Sequence, residues 1–140
     1  DFKFVRWNYN FMKILGYSNE EMAQIPPQKL FIEKDQKLIA ERMQKVFEKG
    51  EAEAEASLLT KKGEEFPYYF TGLRIMHDEQ AYLIGMGIDI RERKEAEKYL
   101  REKNKELENF NRIAINRELK MVELKSRIKE LEKKMSSSNK

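Results

Sequence analysis

Two hydrophobic rhythms meet near residue 90. Up to Ile90, apolar residues alternate in short runs or recur at helical spacing, with Gly and Pro between the runs. Beyond it no Gly or Pro occurs, and apolar residues return every seven positions. In the first part, the aromatic alternation of Phe2 to Trp7 predicts a strand. Asn8 can cap a helix carrying Phe11, Met12, Ile14 and Leu15, which Gly16 ends. Ser18 and Glu21 form a capping-box pair that opens a short helix through Met22 and Ala23, and Pro26-Pro27 interrupt the chain. Glu33 to Lys49 reads as an amphipathic helix, with Leu38, Ile39, Met43, Val46 and Phe47 at i, i+4, i+8 spacing and Gly50 as its stop.

The stretch from Glu51 to Leu58 sets propensity against period. Ala and Glu favour helix, but strict alternation puts Ala52, Ala54, Ala56 and Leu58 on one side of a strand. Period decides for the strand. Lys61-Lys62-Gly63 is a turn. Glu65 to Ile75 is a second strand, with Pro67 near its start, where a missing N–H is tolerated. His77 to Gln80 turns the chain again, and Ala81 to Ile90 forms a third strand containing Gly85 and Gly87.

The second part carries paired heptad series. Leu100, Leu107, Ala114, Met121, Ile128 and Met135 are spaced by seven; Ala96, Lys103, Phe110, Arg117, Leu124 and Leu131 follow at an offset of three. These are a and d positions of a coiled coil. A stripe of this length has no large core to face, so its expected partner is a second copy in a parallel homodimer. Lys103 and Arg117 interrupt the seam with charge. Ser136 to Lys140 reads as a disordered tail, which gives three segments: residues 1–91, a coiled-coil helix at 92–135, and the tail at 136–140.

Composition sharpens this division. Of the 140 residues 38% are charged, more than one compact domain needs, which fits an exposed helix. Residues 1–90 hold 12 Lys and Arg against 15 Asp and Glu, a net of −3, and residues 91–140 hold 16 against 10, a net of +6. The basic excess alternates with acids, as on a coiled-coil exterior, so no nucleic-acid partner is expected. Cysteine is absent, which removes disulfides, thiol nucleophiles and thiolate metal sites. No apolar run approaches the roughly 20 residues that span a bilayer, no signal peptide is visible, and a cytoplasmic location is expected.

The order strand, short helices, longer helix and three strands frames several local motifs. They are Arg6-Trp7-Asn8, Leu15-Gly16-Tyr17-Ser18-Asn19-Glu20-Glu21-Met22, Thr60-Lys61-Lys62-Gly63 and Gly85-Met86-Gly87-Ile88-Asp89-Ile90-Arg91-Glu92-Arg93-Lys94. Over residues 1–94 the chain resembles a PAS domain of bacterial and archaeal signalling proteins, and the following helix resembles linkers of sensor histidine kinases in two-component systems. The resemblance implies an α+β fold: an antiparallel five-stranded sheet with helices on one face enclosing a small pocket. The family's first strand would precede Asp1, so the chain is expected to be a fragment. Ile115 to Lys120 echoes the kinases' phosphoacceptor motif, with Arg117 in place of the histidine, and an arginine cannot accept a phosphoryl group as imidazole does.

Alternation and the resemblance together point Phe4, Leu58, Tyr69, Thr71, Leu73, Leu83, Gly85 and Gly87 into the pocket, faced by Phe31, Ile39 and Met43. This lining suits a small, weakly polar ligand or none. In haem-binding members of the family the long helix supplies a histidine ligand, and residues 33–49 have none. In light-sensing flavin members a cysteine forms the adduct, and Gln28 stands near that position. Neither haem nor a covalent flavin adduct is expected; a non-covalent flavin stays open. His77, the single histidine, falls in a turn and reads as an exposed polar residue. No nucleophile–base pair, metal cluster or phosphate loop appears, so no catalytic site is expected. In the family Asp-hydrophobe-Thr ties the last strand to the helix; here Asp89 matches and Arg91 replaces the threonine. The implied function is a sensory and dimerisation module that relays a conformational signal into the helix, with a ligand-free interaction domain as the alternative.

Overall fold

The computed structural model describes residues 2–139. Three short helical elements come first: α1 (Tyr9–Leu15), α2 (Asn19–Gln24) and a 3-10 turn (Pro27–Leu30). Each boundary has its chemical cause. Asn8 Oδ1 accepts the Phe11 N–H at 2.7 Å. Gly16, at φ 79°, closes α1 in a left-handed conformation that glycine adopts without a Cβ penalty. Ser18 and Glu21 complete a reciprocal capping box, Ser18 N–H to Glu21 Oε2 at 2.8 Å and Glu21 N–H to Ser18 Oγ at 3.2 Å. Lys61 then reaches across to Glu21 at 2.7 Å, and with the Ser18 N–H this pulls the Glu21 carboxyl below its usual range.

Helix α3 (Glu33–Lys49) ends at Gly50, which leads directly into the antiparallel sheet β1 (Glu51–Leu59), β2 (Glu65–His77) and β3 (Gln80–Asp89), in the order β1-β2-β3. Period therefore outweighed propensity at 51–58, because Ala52, Ala54, Ala56 and Leu58 are all buried against the helices. Asp35 of α3 accepts the Ser57 N–H at 2.8 Å, and the Ile32 N–H donates to Ser57 O at 3.0 Å, which fastens the start of α3 to β1. Arg74 donates to Phe47 O near the end of α3, where free carbonyls attract cations.

Two expectations are corrected here. Residues 2–8 form no strand: Phe2 stacks on Phe47 at 5.3 Å, and Phe4 packs on Trp7 and Phe11. Their alternation serves aromatic packing and not a ladder, so among the described residues the sheet has three strands and not five. The last helix, α4 (Arg91–Ser138), continues three residues into the expected tail, with Ser137 and Ser138 hydroxyls donating to Lys134 and Met135 carbonyls. Lys140 lies outside the described residues. The chain divides into two compact units, 1–94 and 95–140.

The β2–β3 connection is a two-residue hairpin turn in which Asp78 and Glu79 both take positive φ, 48° and 62°. This turn type prefers Asn-Gly, since the left-handed region costs a side chain about 1–2 kcal/mol. Glu79→Gly is expected to stabilise the unit by about 0.5–1 kcal/mol after the added chain entropy of glycine is subtracted. A rise in the thermal midpoint of a few degrees by calorimetry checks this.

Candidate functional site

The helix-facing side of the sheet is set by register. Ala54 pairs with Phe70 and Ala56 with Tyr68, and β3 brings Gly87 opposite Phe70 and Gly85 opposite Gly72. On this side Leu58, Phe31 and Ile39 join one buried cluster, with Phe4, Met43 and Phe70 packed half-buried against it. The rings of Phe31 and Phe70 meet edge to face at 5.2 Å, and Tyr68 stacks on Phe70 at 5.8 Å. These rings explain one glycine. A Cβ at Gly87 would lie 2.8 Å from Phe70 Cε1 and 3.1 Å from Tyr68 Cδ1. At Gly72 the obstacle is Val46 Cγ2 at 2.9 Å. Glycine is required at both places by close packing. Gly85 differs: its Cβ would meet only Leu83 Cδ2, at 3.8 Å, an ordinary contact, so close packing does not require glycine there.

Tyr69, Thr71 and Leu73 do not line this side. They pair with Ile88, Met86 and Ile84 and sit on the opposite, outer face with Glu51, Glu53 and Glu55. A hydrogen bond with Glu53 and burial push the Tyr69 hydroxyl upward in pKa. The inward residues of β2 are Phe66, Tyr68, Phe70 and Gly72. Gly72 and Arg74 disguise this phase, since a glycine and an arginine look like outward positions. The hairpin carried the missing signal. With a two-residue turn at Asp78-Glu79, placing Gly85 and Gly87 inward forces Gly72 and Phe70 inward as well.

A family model described as a PAS domain matches residues 1–92. The chain belongs to the PAS domain family. Its fold is similar to the PAS domain of a protein from Colwellia psychrerythraea, with TM-score 0.57 and 22% identity over 64% of this chain and 79% of that one. It is also similar to a sensory box histidine kinase/response regulator from Burkholderia thailandensis, with TM-score 0.54 and 21% identity over 73% of this chain and 79% of that one. No curated protein matches the chain. PAS domains are sensory modules and in general non-catalytic. Among the described residues no group of three or more His, Cys, Asp or Glu is arranged to hold a metal, and the His77 side chain is 73% exposed at the hairpin tip. No described helix is long and apolar enough to cross a membrane.

The end of this PAS sheet is tied to α4 at two points. Asp89 Oδ1 accepts the Arg91 N–H at 2.9 Å, capping the helix, and Asp89 Oδ2 accepts Arg91 Nη2 at 2.7 Å and Nε at 2.9 Å. The guanidinium hydrogen bonds hold the Asp89 carboxyl below its usual range. The carbon at the centre of that guanidinium stands 4.6 Å from the Phe66 ring centroid, a cation–π distance. Arg91 thus grips Asp89 with a forked cation and adds a hold on β2 through Phe66. Between them Ile90 is buried, and its N–H donates to Pro67 O at 3.2 Å. The second tie was not anticipated. Glu55 on β1 accepts from Arg93 and from Lys94 Nζ, the latter at 3.4 Å, and Arg93 above all draws its carboxyl down in pKa. Outward alternation on β1 marks Glu55 as exposed but does not reveal its partners, which lie 38 residues away in the chain for Arg93.

Proposed function

We propose that this chain is a sensory and dimerisation module of a two-component signalling protein, working in the cytoplasm. The relay would pass a shift of the sheet into α4, paired with α4 of a second copy as a parallel coiled coil. The observation that carries this reading is the double tie. Asp89–Arg91–Phe66 and Glu55–Arg93 fix the first turn of α4 to all three strands, and Phe66 itself packs against the core cluster. A displacement of β1 or β3 by a pocket event would then change how the paired helices meet.

The seam supports the pairing. Leu100, Leu107, Phe110, Met121, Leu124, Ile128 and Leu131 are each more than half exposed in a single copy, at the spacing that buries them against another helix. Cysteine placed at Leu107 in this cysteine-free chain should cross-link like to like. An ordinary cap at Asp89 is worth about 1 kcal/mol and has no bearing on helix pairing. Asp89→Ala is therefore expected to change the distances between spin labels at Leu107 and at Leu124 while the unit stays folded. Distances that match the parent protein would refute the relay.

A second reading, an interaction domain that binds no ligand, is favoured by the packing at Gly87, where Phe70 and Tyr68 fill the space over the strand. The two readings separate on whether a small, weakly polar ligand co-purifies. Native mass spectrometry with an absorbance spectrum reports both ligand and oligomer.

A further inference from the structure

Charges that alternate along α4 are sorted by side around it. With Leu100 at an a position, the b and f positions stand next to each other on the side of the helix away from the seam. From residue 98 to 133 they carry Lys98, Arg101, Lys105, Arg112, Lys129 and Lys133 against one acid, Glu108. The columns on either side of this strip are the c and e positions. They carry Glu102, Glu123 and Glu130, and Glu97, Glu118 and Glu132, with Lys125 as their one cation over residues 97–132.

The middle of the basic strip is apolar. Ile115, Leu119 and Val122 follow at i, i+4 and i+7, and they are exposed by 57%, 63% and 65%. None belongs to the a or d series, so a two-helix seam leaves them in water. Local structure gives no reason for them either. Ile and Val lose rotamer freedom in a helix, and Lys or Glu would serve a solvated position better. Single exposed apolar residues are ordinary, whereas a contiguous group marks a contact surface.

We propose that the b/f side of α4 around Ile115, Leu119 and Val122 docks an amphipathic helix of a partner protein, apolar in its middle turns and acidic towards both ends. The proposal rests on the a/d seam, which turns this side outward. Charge complementarity selects the occupant. Among the described residues Lys105, Lys129 and Lys133 make no ion pair within the chain, so their ammonium groups are available to a partner's carboxylates. Lys105 to Lys129 spans about 36 Å of helix, which matches a partner helix of about seven turns. A second copy of the strip is a poor occupant. Laid parallel, it sets Lys105, Arg112 and Lys129 each against its own counterpart. Laid antiparallel about Leu119, it brings Lys133 to Lys105. A flat anionic membrane is also a poor occupant, because it would meet the glutamates of the c and e columns, whereas a single helix needs only the narrow strip between them.

The test uses the full chain and a fluorescent helical peptide of about 25 residues, with leucines at i, i+4 and i+7 in its middle turns and glutamates in its end turns. A second peptide has lysines in place of those glutamates. Anisotropy is read for the parent chain, for Leu119→Glu combined with Val122→Glu, and for Lys105→Glu combined with Lys129→Glu, and sedimentation follows the dimer in each. The acidic peptide is expected to bind the parent chain, and the Leu119 and Val122 glutamates to weaken it about tenfold or more. The Lys105 and Lys129 glutamates should turn the preference towards the lysine peptide, and all three proteins should remain dimers. Equal binding of the two peptides by the parent chain, or undiminished binding of the acidic peptide by Leu119→Glu with Val122→Glu, overturns the proposal and leaves the coiled coil standing. Dissociation of the dimer by those two glutamates also overturns it, since the strip would then belong to self-association. Binding to vesicles of mixed phosphatidylserine and phosphatidylcholine without binding to the acidic peptide overturns it in favour of a membrane surface. A monomeric parent chain overturns the seam, and this proposal with it.

Discussion

Leu58→Ala is expected to cost the 1–94 unit about 2–5 kcal/mol, the range for emptying a large aliphatic side chain from a packed core. Leu58 is fully buried, and its strand touches both layers of the fold. It pairs with Phe66 within the sheet and makes an isolated bridge to Phe31 at the end of the 3-10 turn. The walls of the cavity cannot close easily. Ser57, the preceding residue, is held on both backbone groups, by Asp35 and by the Ile32 N–H, so β1 cannot slide inward to fill the gap. Urea unfolding with an unchanged slope and a lower midpoint measures the loss. Leu73→Ala is the matched control. It removes the same atoms from a side chain 40% exposed on the outer face and is expected to cost well under half as much, since the area returned to water is smaller and no closed cavity forms. Equal losses at the two leucines would mean that β2 presents the opposite phase to the helices.

That control touches one of the two places where the sequence misleads about the sheet. Strand β1 is legible because small Ala and charged Glu alternate without exception, so burial can follow only one phase. Helix α3 and the caps at Asn8, Ser18 and Gly50 are legible for a similar reason, as a single local hydrogen bond or a positive φ fixes each. Strand β2 is apolar on both phases. Phe66, Tyr68 and Phe70 compete with Tyr69, Leu73 and Ile75, and the decision rests on neighbours distant in sequence. Val46 needs the space that Gly72 leaves, and Arg74 belongs to the end of α3. Phe2 to Trp7 shows the converse. Its alternation is real, but a strand needs a ladder partner, and the described residues offer these side chains aromatic rings instead. At the junction Asp89 could be singled out from its place before a helix, whereas Glu55 could not, because ion pairing between β1 and α4 depends on a fold that brings the two together.

Arg117→Leu tests the part of the reading that lies farthest from the sheet. Heptad spacing puts Arg117 at a d position, between Phe110 and Ala114 on one side and Met121 and Leu124 on the other. In a parallel pair the two Arg117 residues face each other at one level, so two guanidiniums sit where the seam elsewhere buries apolar chains. A charged residue there holds register at the expense of affinity. Burying a leucine side chain is worth about 1.5–3 kcal/mol, and each dimer gains two, so stabilisation on the order of 3 kcal/mol and a dissociation constant about a hundredfold lower are expected. Arg112→Leu supplies the comparison. Arg112 stands at an f position, on the side of the helix away from the seam, where its guanidinium reaches Asn109 at 2.6 Å; replacing it is expected to shift stability by no more than about 0.5 kcal/mol. Sedimentation over a dilution series measures both variants and reports any change from two copies to three or four, a shift that removing a polar seam residue can cause. Equal affinities for Arg117→Leu and Arg112→Leu would show that the 3.5-residue stripe is not what two copies bury.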